Sequence, residues 1–198
     1  MSDLTAFVLA GGKSTRMGAE KAFLLLEGRS LLQRALDLAR PLAQEVQIVG
    51  PANKFSAFAP VVEDRYGSRG PLGGIHAALS ATRTEFNLML AVDLPFVEEH
   101  FLRYLAEQAR AADALVTVPR AGGGLQPLCA VYRRQFAQLA EPALAAGRNK
   151  IDTLFAGTRI RIIEEDELAR FAFSPAMFDN LNTPEEWEQA RRRLAQRP

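Results

Sequence analysis

The stretch Leu4-Thr5-Ala6-Phe7-Val8-Leu9 is an apolar run that leads directly into Ala10-Gly11-Gly12-Lys13-Ser14-Thr15-Arg16-Met17-Gly18-Ala19-Glu20-Lys21. The run predicts a strand, and the glycines after it let the main chain approach phosphate oxygens and adopt positive φ. Successive N–H groups in such a loop can form an anion-binding nest, and Arg16 can bind two oxygens at once. We therefore predict a loop that holds a triphosphate; an ordinary glycine turn with solvated cations is the alternative.

Two other glycine motifs do not fit this loop. A Walker A loop needs a glycine five positions before Gly12-Lys13-Ser14, and Phe7 occupies that place. The dinucleotide fingerprint needs Gly-x-Gly-x-x-Gly, which the spacing of Gly11, Gly12 and Gly18 does not provide. The loop therefore matches neither the Walker A motif nor the dinucleotide-binding motif.

Apolar runs alternate with amphipathic segments along the chain, which predicts an α/β fold with a mainly parallel sheet and helices on both faces. Helical spacing is clearest in the stripe Leu31, Leu32, Ala35, Leu36 and Ala39. No repeat or linker divides the chain, so residues 1–198 are predicted to form one domain. The segment Arg120-Ala121-Gly122-Gly123-Gly124 is predicted to be a mobile loop and not a domain boundary. The predicted strands are Leu4 to Ala10, Glu45 to Gly50, Val61 to Glu63, Phe86 to Val92, Ala114 to Pro119 and Leu128 to Arg133.

Composition excludes several classes of function. With 24 basic and 23 acidic residues the net charge is +1, so no global field attracts nucleic acid. Arg191-Arg192-Arg193, together with Arg197, is predicted to be a solvated face at the end of a helix. No apolar stretch approaches the ~18 residues of a membrane span, and a basic signal sequence is lacking. The single cysteine, Cys129, is expected to be a small buried residue, so we expect a cytoplasmic protein that makes no use of membranes.

Asp93 ends the nearly continuous apolar run Phe86 to Val92, which is typical of a strand buried on both faces. Ligands of open α/β sheets collect at the carboxyl ends of the strands, where the glycine loop is also expected. Mg²⁺ takes one or two carboxylates together with substrate phosphates. We therefore predict Asp93 as a metal ligand; capping of the helix that begins near Pro95 is the alternative.

A second glycine-rich loop spans residues 63–74. Asp64 could accept hydrogen bonds from an exocyclic amine or a ribose hydroxyl, and Arg69 could meet phosphate. A surface loop with Pro71 at the first turn of a helix explains the same residues without function. His76 lies in that helix and is expected to be packed.

Two further segments could contact a second substrate. Asn180 and Asn182 are two apart, so on an extended segment they point the same way, whereas Thr183 and Glu186 form a capping box. A loop stabilised by asparagine side chains is equally compatible. Arg148 and Lys150 could bind an acceptor phosphate, although favourable charges at a helix end explain them as well.

Four motifs in order resemble the nucleotidyltransferases, and most closely the molybdenum cofactor guanylyltransferases. They are Leu9 to Lys21, Gly70 to Gly74, Val92-Asp93-Leu94-Pro95 and Asn180-Leu181-Asn182-Thr183-Pro184-Glu185. The resemblance covers nearly the whole chain and implies a Rossmann-like, three-layer fold. It also implies transfer of GMP from a Mg²⁺-bound GTP to the terminal phosphate of molybdenum-loaded molybdopterin, with release of pyrophosphate.

The resemblance also distributes roles. The residues that it implies for nucleotide binding are Leu9, Ala10, Gly11, Gly12, Lys21, Asn53, Asp64 and Asp93. Among these, Gly11 favours guanine over cytosine as the base. The resemblance implies Mg²⁺ at Asp93 and acceptor contacts at Asn180 and Asn182, to which we add Arg148 and Lys150. Catalysis is expected from Asp93, and from Arg16 and Lys21 as they neutralise the departing pyrophosphate.

Alternatives to this function remain open. The chain could use CTP or another phosphorylated acceptor, or it could be a nucleotide-sensing module without catalysis. For the guanylyltransferase, we expect GTP and molybdopterin as substrates, transient contact with molybdoenzymes or their chaperones, and a monomer or weak oligomer.

Overall fold

The computed structural model describes residues 3–11, 21–66 and 69–195. The strands are β1 Leu4–Leu9, β2 Leu25–Leu26, β3 Arg29–Ser30, β4 Glu45–Val49, β5 Val61–Val62, β6 Phe86–Ala91, β7 Val116–Ala121, β8 Gly124–Leu125, β9 Cys129–Arg133 and β10 Ile160–Ile163. The α-helices are α1 Leu31–Ala39, α2 Ala52–Phe55, α3 Pro71–Ala81, α4 Glu99–Ala111, α5 Ala137–Ala145, α6 Ile151–Phe155, α7 Glu165–Arg170 and α8 Pro184–Ala195.

One large sheet organises the fold, with the strand order β10-β7-β9-β6-β1-β4-β5. Strand β1 pairs in parallel with β4 and β6, β4 pairs in parallel with β5, and β10 pairs in parallel with β7. Only β9 within this path runs antiparallel, to both β6 and β7. The predicted α/β class with a mainly parallel sheet is confirmed.

Side chains of β1 alternate between two hydrophobic cores, because successive residues of a strand point to opposite faces. Ala6 and Val8 belong to the core under α1, α4 and α8, whereas Phe7 belongs to the core under α3 and α5. All six residues of β6 are buried. The sheet is therefore covered by helices on both faces, as the three-layer prediction requires.

One local prediction needs correction, and one strand was missed. The segment around Gly122 and Gly123, expected to be a loop, is a tight turn between β7 and β8 in which Ala121 pairs with Gly124. Both turn glycines have positive φ, 60° and 75°, which is the conformation of a two-residue hairpin turn. The edge strand β10 was not predicted.

The predictions that Cys129 and His76 are buried are confirmed. Cys129 is fully buried, and this burial raises the pKa of its thiol to about 12, so it serves as a packed residue. His76 is also buried. Among the helices of the described ranges, none has the length and apolar character needed to cross a membrane.

Candidate active site

A cleft of about 780 Å³ opens at the carboxyl ends of the central strands. Strand β1 has β4 as its neighbour on one side and β6 on the other. The order of the strands therefore reverses at β1, and open α/β sheets bind ligands at such a topological switch point. The described lining of the cleft consists of Leu9, Ala10, Gly11, Lys21, Val49, Gly50, Pro51, Glu63, Asp64, Gly70, Pro71, Gly74, Ala91, Val92, Asp93 and Leu128.

Backbone hydrogen bonds fix the walls of this cleft. The N–H groups of Ala10 and Gly11 both donate to the carbonyl of Val49, each at 3.0 Å, and the N–H of Val92 donates to the carbonyl of Leu9 at 3.2 Å. The turn after β1 is thereby held between the ends of β4 and β6. This register brings Gly11 and Asp93 to the same edge of the sheet. Gly12 and Arg16 lie outside the described residues.

Lys21, Asp93 and Asn182 meet at one end of the cleft. The Lys21 Nζ donates to Asn182 Oδ1 at 2.6 Å and to Asp93 Oδ2 at 3.3 Å. The side chains of Lys21 and Asp93 are only 16% and 24% exposed. Three residues that are far apart in the sequence thus form one half-buried polar cluster.

The segment of residues 179–183, which we call the strap, carries Asn182 to this cluster. The N–H of Leu181 donates to the main-chain carbonyl of Asp93 at 3.1 Å. At the end of the strap, Thr183 and Glu186 form the predicted capping box, with Thr183 N to Glu186 Oε2 at 3.0 Å and Glu186 N to Thr183 Oγ1 at 3.2 Å. Asn180 is exposed on the strap.

Asp64 lies at the opposite end of the cleft, against the first turn of α3. Its Oδ1 accepts a hydrogen bond from the N–H of Tyr66 at 2.7 Å. A Cβ atom added to Gly73 would lie 2.5 Å from Asp64 Oδ2, so the glycine leaves the space that the carboxylate occupies. Helix N-termini favour negative charge, and this position keeps Asp64 in the lining of the cleft.

Other predicted residues are not brought into the cleft lining. Asn53 is exposed on α2, and Arg148 and Lys150 are exposed between α5 and α6. None of the three belongs to the described lining of the cleft. Arg69 points toward the connection between α5 and α6, because its Nη1 lies 3.3 Å from the point where a Cβ atom added to Gly147 would lie.

Some lining residues were not singled out from the sequence. Gly50 and Glu63 directly follow β4 and β5, so the rule that sites gather at carboxyl ends of strands could have found them. Leu128 enters from the start of antiparallel β9, which strand patterns alone could not orient. Glu63 also accepts a hydrogen bond from the N–H of Ala52 at 2.9 Å, which joins β5 to α2.

The donor set at Asp93 suits a Mg²⁺ ion that arrives with a nucleotide. No group of three or more His, Cys, Asp or Glu side chains that could hold a metal occurs among the described residues. A single carboxylate beside an open cleft fits the coordination preference of Mg²⁺, which binds one or two protein carboxylates and takes its remaining ligands from phosphates and water. The residue that would hold the ion is Asp93.

Known proteins are similar to this chain in sequence over nearly its whole length. The molybdenum cofactor guanylyltransferase of Desulfosudis oleivorans is 34% identical, with 96% of this chain and 95% of the relative covered. The corresponding protein of Syntrophotalea carbinolica is 30% identical, with coverage of 95% and 90%.

Solved structures with the same fold are also known. Molybdopterin-guanine dinucleotide biosynthesis protein A from Archaeoglobus fulgidus superposes with a TM-score of 0.86 at 27% identity, covering 98% of this chain and all of that one. The synthetase of CMP:2-keto-3-deoxy-manno-octonic acid, at 14% identity and a TM-score of 0.76, shares the fold. The family model of the MobA-like NTP transferase domain matches residues 6–161, and the chain therefore belongs to this family of nucleotidyltransferases.

Proposed function

We propose that the protein transfers GMP from GTP to the terminal phosphate of molybdenum-loaded molybdopterin and releases pyrophosphate. The observation that carries this proposal is the contact of Lys21 with Asp93 and Asn182. It joins the end of the glycine loop, the carboxylate after β6 and the strap in one site. Relatives named molybdenum cofactor guanylyltransferase support the choice of substrates.

The reaction requires little covalent participation by the protein. An oxygen of the acceptor phosphate forms a bond to the α-phosphorus of GTP, and the bond from that phosphorus to the bridging oxygen of the β-phosphate breaks, so the electron pair leaves with pyrophosphate. Since the acceptor phosphate is already anionic, no strong base is needed. Positioning and neutralisation of charge supply most of the acceleration in such transfers.

Each end of the cleft has its own task in this proposal. Asp64 would contact the guanosine from the α3 end, and the turn of Leu9, Ala10 and Gly11 would form the wall beside the phosphates. Lys21, together with Arg16, would stabilise negative charge on the departing pyrophosphate. Asn182 and Asn180 would orient the acceptor from the strap.

The proposal assigns Mg²⁺ to Asp93, with phosphate oxygens of GTP completing its ligands. When bound, the ion would supply Lewis-acid stabilisation of the phosphate charge. The proposed setting is the cytoplasm, which supplies both GTP and Mg²⁺. Contacts of Asn53 with the nucleoside, and of Arg148 and Lys150 with the acceptor, remain part of the proposal.

The test is incubation of the protein with Mg²⁺, molybdenum-loaded molybdopterin and either GTP or CTP, followed by mass detection of the dinucleotide product. We expect the guanine dinucleotide and stoichiometric pyrophosphate with GTP. A cytosine product in excess would replace the guanylyl assignment. Nucleotide binding without any pyrophosphate release would show a sensing module instead of an enzyme.

A further inference from the structure

Arg193 differs from the two arginines that precede it on α8. Arg191 pairs with Glu188 one turn earlier in the same helix, and Arg192 is exposed. The Nη1 of Arg193 instead donates to the carbonyl of Ala176 at 3.1 Å and to Asp179 Oδ2 at 3.2 Å. The prediction that all three arginines form a solvated face is therefore wrong for Arg193. Arg197 lies outside the residues that the structure describes.

The same guanidinium also covers the aromatic ring of Phe96. The Arg193 Cζ lies 4.1 Å from the centre of the Phe96 ring, within the range of a cation–π interaction. Phe96 is 3% exposed and follows Asp93 by three residues. One side chain thus joins the segment after β6 to Asp179, where the strap begins.

The strap has two further attachments. The Leu181 N–H binds the main-chain carbonyl of Asp93, and the capping box of Thr183 and Glu186 secures its junction with α8. Arg193 supplies the attachment at the opposite end, where Asp179 is otherwise on the surface. Its planar fork can hold a carbonyl and a carboxylate while its face lies on a ring, which a lysine cannot do.

We propose that Arg193 is a positioning residue that holds the strap in register with Asp93, so that Asn180 and Asn182 are presented to the second substrate. The identity of that substrate rests on the proposed function. Arg193 does not belong to the described lining of the cleft, so it acts through the strap and touches no reacting atom.

The expected signature is a selective loss of acceptor binding. In Arg193→Gln the guanidinium fork and the cation on Phe96 are both lost, and we expect KM for the acceptor to rise roughly tenfold, the size of effect that one such contact pair supports. KM for GTP should stay within about twofold, because the Asp64 end of the cleft is unaffected. Arg193→Lys keeps the cation on the ring and should recover part of the loss.

The only tryptophan of the chain, Trp187, gives a readout that does not depend on activity. It lies on α8 between the capping box and Arg193, and it packs partly buried against the main core. Acrylamide quenching of its fluorescence should increase in Arg193→Gln. Arg191→Gln and Arg192→Gln remove the same charge from the same helix and should leave both quenching and kinetics at wild-type values.

The outcomes separate this proposal from the proposed function. A wild-type protein that makes no guanine dinucleotide refutes the proposed function, while the quenching comparison still decides the role of Arg193. Equal quenching in all three glutamine variants, or equal increases in KM for both substrates, would overturn the positioning role. If Arg193→Gln does not fold, Phe96→Leu and Arg193→Lys test the same contact, and unchanged quenching and acceptor KM in both would likewise overturn it.

Discussion

Replacing Lys21 with methionine should raise the affinity of the nucleotide-free protein for a divalent cation, although it should lower turnover. In the free protein the Lys21 ammonium lies 3.3 Å from Asp93 Oδ2 and so competes with a metal for that carboxylate. Opposite unit charges at this distance attract by about 1.3 kcal/mol in water and about 5 kcal/mol at an effective dielectric constant of 20. The side chains of Lys21 and Asp93 are 16% and 24% exposed, so solvent screens part of this attraction, and we take it as about 2 kcal/mol. Its loss corresponds to an increase of about 30-fold in the affinity of Asp93 for the metal.

The assay is titration of Mn²⁺, a paramagnetic substitute for Mg²⁺, without nucleotide, in which the electron paramagnetic resonance signal of the free ion reports binding. Lys54→Met is the matched control, because Lys54 is exposed on α2 and outside the described lining of the cleft. With GTP and Mg²⁺ saturating, Lys21→Met should turn over about 100-fold more slowly, as expected on losing one group that stabilises developing charge. Unchanged Mn²⁺ affinity, or an equal gain in Lys54→Met, would refute the competition between ammonium and metal.

Three other substitutions test separate parts of the molecule. Asp93→Ala should lower turnover roughly a thousandfold, about 4 kcal/mol of barrier, measured as GTP-dependent pyrophosphate release; rates within a few fold of wild type would remove Asp93 from the mechanism. Gly73→Ala places a Cβ atom 2.5 Å from the present position of Asp64 Oδ2, so it should displace the carboxylate and raise KM for GTP roughly tenfold. The melting temperature should stay at or above that of the wild type, because alanine has a higher helix propensity than glycine. An unchanged KM for GTP would contradict the role of Asp64. Glu167→Gln should cost about 1–2 kcal/mol of unfolding free energy at pH 7 because Glu167 accepts hydrogen bonds from Tyr104 and Arg161, each at 2.5 Å. Burial alone would raise the pKa of Glu167, but these hydrogen bonds outweigh it and lower the pKa; the stabilisation is therefore complete above the unfolded-state pKa of about 4.3 and is lost as pH falls through the lower folded-state value. Urea titrations should show the difference from wild type shrinking below about pH 4, and a constant difference would be inconsistent with this assignment.

The central strands were predictable because burial on both faces leaves a nearly continuous apolar run. Strands β1 and β6 end within one residue of their predicted ends, and the ends of neighbouring parallel strands share one edge of the sheet. This was enough to predict that Gly11 and Asp93 lie at the same edge of the sheet. The prediction needed no knowledge of side-chain contacts.

The part of the sheet formed by β7, β8, β9 and β10 was less predictable. The β10 sequence Ile160-Arg161-Ile162-Ile163 is short, and three of its four residues are only half-buried, so its pattern does not stand out. The apolar run of β9 predicts a strand but not its direction, and so could not show that Leu128 enters the cleft. The glycines at 122 and 123 predicted a mobile loop, whereas the tight turn that they form with positive φ depends on the pairing of β7 with β8.

The contacts of the C-terminal segment also lay beyond the sequence pattern. The spacing of Thr183 and Glu186 predicted the capping box, since both partners lie within one turn of a helix. Nothing in the spacing places Asn182 beside Lys21, 161 positions earlier. Likewise, three consecutive arginines look alike in the sequence, and only tertiary structure separates Arg193 from its neighbours.

The polar cluster of the site does not depend on its own internal contacts for its shape. Lys21 begins a 3-10 turn closed by the hydrogen bond from Leu24 N–H to its carbonyl, and Asp93 is fixed through its main chain by Leu181. Asn182 donates its N–H to Glu186 Oε2 at 2.5 Å within the cap of α8. Each of the three groups is held by its own backbone, so under the proposed function substrate phosphates would replace the contacts of the Lys21 ammonium without a change in the backbone of the site. Such preorganisation is what a transfer driven by positioning and charge neutralisation requires.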